Sequence, residues 1–143
     1  MAATLFTVWS CDTAVSRNDE LTAAEQAIDT HNYRSAQIAC DRLLEQSAEQ
    51  PLSASQFGRL SLLFMRLSEI DAEHENVGQA TQCYLKAFAA DTDSARAYYN
   101  SLPIEMSSYV EMMASLSHAI TSPADISDDS WCETDSIPPH RQP

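Results

Sequence analysis

Two histidines sit where helical patterning breaks, in Thr30-His31-Asn32 and in Glu73-His74-Glu75-Asn76. An imidazole titrates near neutrality and ligates divalent metals through either ring nitrogen. Two of them brought to one edge could share a proton or a metal ion. Four carboxylates crowd the second break: Glu69, Asp71, Glu73 and Glu75, with Glu69 and Glu73 at the four-residue spacing of one helix face. Such oxygens suit a hard cation or a basic partner. Against both readings stands the simpler one, that corners are polar because water solvates them. No calcium-loop pattern with its required glycine is present, so the expectation is solvated histidines, a solvated acidic face and no metal site. His118 and His140 stand alone and take no role.

The cysteines Cys11, Cys40, Cys83 and Cys132 form no C-x-x-C pair and share no rhythm with the histidines, which gives no zinc signature. Cys40 and Cys83 each fall in an apolar helical stripe, where cysteine behaves as a small buried hydrophobe; that reading is preferred over a disulfide. Gly58 and Gly78 are the only glycines. With so few, the phosphate-cradling loop, the dinucleotide fingerprint and the nucleophile elbow are all excluded, and no H-E-x-x-H occurs. The chain is read as having no catalytic residues and no cofactor. Tyr98 and Tyr99, with Met106, Met112 and Met113, could form an adaptable binding surface, but their helical spacing favours core packing.

The elements that would carry these residues are helices. The 143 residues fit one compact domain, and 44% hydrophobic content suffices for a core. The formal net charge is −13, from 21 acidic against 8 basic residues. That field repels nucleic acid and anionic headgroups and favours a basic or mixed-charge protein or peptide. Leu21, Ala24 and Ile28 mark a first helix from about Asp19, with Asn18 placed to cap it. Ala36, Cys40, Leu43 and Leu44 mark a second, from about Tyr33 to Ser47. The short connection between the two requires an antiparallel hairpin.

Ser53-x-x-Gln56 is a capping box before the widest apolar face, Phe57, Leu60, Leu63, Phe64, Leu67 and Ile70. Asn76-x-x-Gln79 suggests the next cap, ahead of Val77, Ala80, Tyr84, Ala87 and Phe88. A capping cluster at 91–93 precedes Ala95, Tyr98, Tyr99 and Leu102, which Pro103 terminates. A last helix spans about Ile104 to Thr121 and stops at Ser122-Pro123. The predicted architecture is all-α, about five to six helices stacked as hairpins. Residues 1–18 form an apolar N-terminal segment, 19–122 the helical domain, and 123–143 an acidic, proline-containing tail expected to be disordered.

The hairpins resemble degenerate tetratricopeptide repeats. Ala27-Ile28-x-x-x-Asn32-Tyr33-x-x-Ala36 matches the end of a first repeat helix, its corner and the small residue at the helix crossing. Phe64, Leu67 and Ser68, followed by Ala80, Tyr84 and Ala87, fall at the family's offsets. Asp71 stands where the family has tyrosine and Thr92 where it has proline. Ala36 and Ala80 are 44 residues apart instead of about 34, a drift attributable to a long middle helix. The resemblance covers about residues 19–91 and implies stacked hairpins that bind a protein or peptide.

Leu5-Phe6-Thr7-Val8-Trp9-Ser10-Cys11 resembles the end of a bacterial lipoprotein signal, with Val8, Ser10 and Cys11 at the matching positions. Trp9 is unusual there, and no basic residue precedes the run. The resemblance implies lipidation at Cys11 and an envelope location. The alternative is an N-terminal arm docked on the helices of a cytoplasmic protein. Three classes of function follow: a non-enzymatic interaction module or scaffold, a structural subunit of an envelope assembly, and a small helical metal-binding protein or enzyme. The first is the expectation.

Overall fold

The computed structural model describes residues 9–122, with side chains from Ser16 onward. Six α-helices follow in order: α1 Trp9–Asp29, α2 Tyr33–Gln46, α3 Ala54–Ser68, α4 Asn76–Ala90, α5 Thr92–Asn100 and α6 Ser107–Thr121, with a 3-10 turn at Ile104–Met106 before α6. The described residues contain no strand. The fold is all-α, antiparallel helix hairpins stacked as a short array.

Local chemistry explains most boundaries. The capping box forms at α3: Ser53 Oγ accepts from Gln56 N at 3.2 Å, and Gln56 Oε1 accepts from Ser53 N at 3.0 Å. Asp91 caps α5 by accepting from Asp93 N and Ser94 N. α5 ends at Asn100, short of the Leu102 and Pro103 stop expected for it, and the segment after the proline tightens into the 3-10 turn rather than entering α6 directly. α1 closes with His31 at φ 65, while Asn32 N donates to Ala27 O (2.7 Å) and His31 N to Ile28 O (3.0 Å). This pair of bonds around a left-handed residue is a Schellman motif.

The helices stack with a step of two. α1 pairs with α2 and α3 with α4. α2 also packs on α3 and α4 on α5, while α1 meets α3, α3 meets α5, and α4 meets α6. A polar ladder joins α1 to α3: Asn18 with Gln56 (3.0 Å), Glu25 with Arg59 through two bonds of 2.9 and 3.0 Å, and Asp29 with Arg66 (2.6 Å). The partners ascend together in both helices, so α1 and α3 run the same way. The shared core holds Leu21, Leu43, Leu60, Phe64, Leu67 and Met113. Buried Cys40 and Cys83 are free thiols within it.

Three expectations change. The helix expected from Asp19 already runs from Trp9, so Asn18 lies inside α1, and its side-chain Oδ1 accepts from Gln56 Nε2 instead of capping. Asn76 does not cap α4 either. It is buried, takes a bond from Gln37 Nε2 at 2.9 Å, and leaves the cap position to Glu75, which makes no side-chain cap bond. The 44-residue spacing from Ala36 to Ala80 comes from the two connections inside it, residues 47–53 before α3 and 69–75 after it, and not from a long α3, which has 15 residues. Residues 123–143 and 1–8 lie outside the described residues.

Candidate functional site at the hairpin corners

α3 ends at Ser68, so Ile70, expected on its apolar stripe, falls in the corner and stays 46% exposed. On α2, the polar face made by Arg34, Gln37 and Asp41 contains one apolar side chain, Ile38, 56% exposed. Between the two, with Tyr33 and Leu67 at the base, lies a cavity of about 510 Å³ whose rim is Arg34, Gln37, Asp41, Asp71 and His74. A second cavity of about 380 Å³ lies on the other side of Tyr33 and Ile70, lined by Asp29, His31, Arg66, Glu69 and Tyr109.

Hydrogen bonds fix the rim. Gln37 Nε2 donates to Asp41 Oδ1 (3.0 Å) and to the buried Asn76 Oδ1 (2.9 Å), tying α2 to the start of α4. Asp71 Oδ1 accepts from Glu73 N at 2.9 Å, and its Oδ2 lies 2.6 Å from His74 Nδ1. The His74 bond first, and the Glu73 amide second, hold the Asp71 carboxyl below the usual carboxylate range. In the second cavity, burial pushes the Tyr109 hydroxyl up to about 12, with Glu69 adding to it. That phenol remains a neutral donor at physiological pH.

His31 and His74 do come to the same edge, since Tyr33 and Ile70 line both cavities, but each histidine faces a different one. His31 serves the backbone turn and stacks on Tyr33, ring centroids 5.7 Å apart. Among the described residues no group of three or more His, Cys, Asp or Glu is placed to hold a metal ion. The acidic cluster is dispersed rather than shared: Glu69 faces Tyr109, Asp71 folds back on its own corner, and the Glu69–Glu73 helix face does not form because the helix has already ended.

The chain matches no family model, no curated protein and no solved structure. The tetratricopeptide and lipoprotein resemblances therefore rest on the sequence positions that carry them. Of these, Phe64, Leu67, Ala80 and Ala87 are buried, while Asp71 is half-buried and Thr92 exposed. Cys11 lies within α1, but its side chain, with residues 1–8, is outside what the structure describes. No helix of the described residues is long and apolar enough to cross a membrane.

Of the other residues singled out for chemistry, Cys40, Cys83, Tyr99 and Met113 belong to the core. Burial pushes the Cys40 and Cys83 thiols up to about 12, which keeps them protonated and unreactive. Tyr99 is buried, its Oη 2.8 Å from Ser61 Oγ, and Tyr98 packs edge-on against it at 5.3 Å. Met113 is buried, whereas Met112 is 49% exposed. Sequence reasoning missed Ile38 and Gln37. The available signal was a single isoleucine on an otherwise polar face of α2.

Proposed function

We propose that this chain is a non-enzymatic, tetratricopeptide-like interaction module that takes a protein or peptide segment in the groove between α2 and the corner after α3. The observation that supports it is the pair Ile38 and Ile70, exposed on either side of a cavity whose base is apolar and whose rim is polar and charged. Large apolar side chains held in a concave site are where binding energy concentrates, and flanking charges set orientation. Asp41 and Asp71 on that rim, within a chain of net charge −13, favour a segment with basic residues beside an apolar anchor.

The test is selection of binders from a random peptide library on the purified chain, followed by affinity measurement with Ile38→Asp and Ile70→Asp. Enriched peptides should carry an apolar anchor flanked by Lys or Arg. Each substitution should weaken them by more than about tenfold, the equivalent of ~1.4 kcal/mol. Ile104→Asp, at an 84% exposed position off the groove, should leave them unchanged. Binders indifferent to both groove substitutions would place the site elsewhere. The lipoprotein-like run ending at Cys11 supports anchoring of this module at a bacterial envelope, and the mass of the N-terminal fragment from native cells, with and without Cys11→Ala, tests that part separately.

A further inference from the structure

Each step of the array is covered by the next. α2 is covered by α3, and α4 by α5 and α6. Their apolar stripes are closed, with Ala36, Cys40 and Leu43 on α2 and Ala80, Cys83 and Ala87 on α4 all at 0% exposure. α6 is built differently. Met113 and Ser117 are buried as it packs on α4, but Met112, Leu116 and Ile120 form a second stripe at four-residue spacing, 49%, 38% and 57% exposed. Glu111 and His118 are the helix's only ionisable residues apart from Tyr109. A nearly uncharged helix with an open apolar row is built to be covered.

The sequence after α6 holds residues that could cover this row. Residues 123–143 are polar and acidic apart from Ala124, the prolines, Cys132 and three large apolar residues, Ile126, Trp131 and Ile137. Pro123 follows Ser122, the C-cap of α6, and disfavours continuing the helix, so the chain can change direction there. From Thr121 back to Met112 is about 13 Å at ~1.5 Å of helix rise per residue. Pro123 to Trp131 spans up to about 26 Å when extended at ~3.3 Å per residue, so Trp131 reaches the far end of the stripe with slack for a turn. The acidic residues between the anchors would meet a helix with one carboxylate of its own, rather than the acidic corners of the earlier hairpins.

We propose that residues 123–143 fold back as a strap over α6, with Trp131 seated on Met112 and Leu116, so that the open end of the array is capped within the chain. The test is tryptophan fluorescence of the full chain carrying Trp9→Phe, which leaves Trp131 as the sole tryptophan. Its emission should be blue-shifted and shielded from acrylamide relative to the denatured chain, independently of protein concentration. Leu116→Asp and Ile120→Asp should each return it to solvent-like emission while far-UV circular dichroism keeps its helical signal. Ile120, on the last turn and more exposed, serves if Leu116→Asp disturbs the fold. Solvent-like emission of the folded parent, or a blue shift that survives both substitutions, would overturn the strap. So would a blue shift that appears only with dimerisation in sedimentation, because a second copy would then occupy the stripe.

Discussion

His31 was singled out for its imidazole, yet what its position demands is a backbone conformation. At φ 65 it supplies the left-handed residue that closes α1 and aims the chain into α2. A side chain with a Cβ pays roughly 1–2 kcal/mol there, and glycine does not, although glycine loses about 0.5–1 kcal/mol more backbone entropy on folding. The stacking on Tyr33 is at a partly exposed site and contributes little. His31→Gly should therefore raise the free energy of unfolding by up to about 1 kcal/mol, read as a higher urea midpoint. His31→Ala, which keeps the Cβ, should not. A clear loss of stability in the glycine variant would mean that the imidazole makes a contact worth more than the strain it imposes.

At the scale of elements, the close approach of α5 to α3 depends on Gly58. A Cβ built there would lie 2.5 Å from Tyr98 Cδ1 and 2.6 Å from Cε1, and the ring is backed by Tyr99. Gly58→Ala should destabilise by about 1–3 kcal/mol through overpacking, outweighing the roughly 1 kcal/mol that alanine gains in a helix. Gly78 has nothing within 4 Å of the same construction. Gly78→Ala should keep that helical gain and raise the melting temperature, so the pair should shift in opposite directions. Equal shifts would mean that α5 does not seat on α3 in this way.

The same scale shows what was legible in the sequence. Apolar periodicity located all six helices, and the Ser53–Gln56 box and the Asp91 cap form as expected, because each is closed by residues within its own turn. Asn18 and Asn76 carry equally good capping chemistry but are used by other helices, through Gln56 and Gln37. A single turn of sequence carries no record of such long-range partners. The groove was hidden for the same reason: Ile38 and Ile70 are adjacent only after α2 packs on α3, and the early end of α3 moves Ile70 from the core to the rim.

For the whole molecule, ionisation couples to folding at both ends of the pH range. Burial raises Cys40 and Cys83 from 9.0 to about 12, and raises Tyr98 and Tyr109 from 10.0 to about 12. Burial also pushes Tyr99 upward. Above the unfolded values the unfolded chain releases protons that the native chain keeps, so the native state binds more of them and stability falls as pH rises. The chain, already at −13, also becomes more negative there, which adds self-repulsion.

The acid limb has the opposite origin. Hydrogen bonds from Ser94, backbone first, hold Asp91 below 3.8, and His74 does the same for Asp71. Their contribution is present above the unfolded value and is lost as pH falls through the folded one. Asp91 is exposed and Asp71 partly so, which lets solvent screen both carboxyls, and this limb should be shallow. Thermal unfolding followed across pH should therefore show a plateau from about pH 5 to 8, a gentle decline below ~4 and a steep one starting near 9. Replacing Cys40 and Cys83 together by alanine lowers the plateau through lost packing but removes two of the groups that drive the alkaline fall. The drop from plateau to pH 11 should then shrink in the double variant, and a drop of unchanged size would assign the alkaline limb to the tyrosines alone.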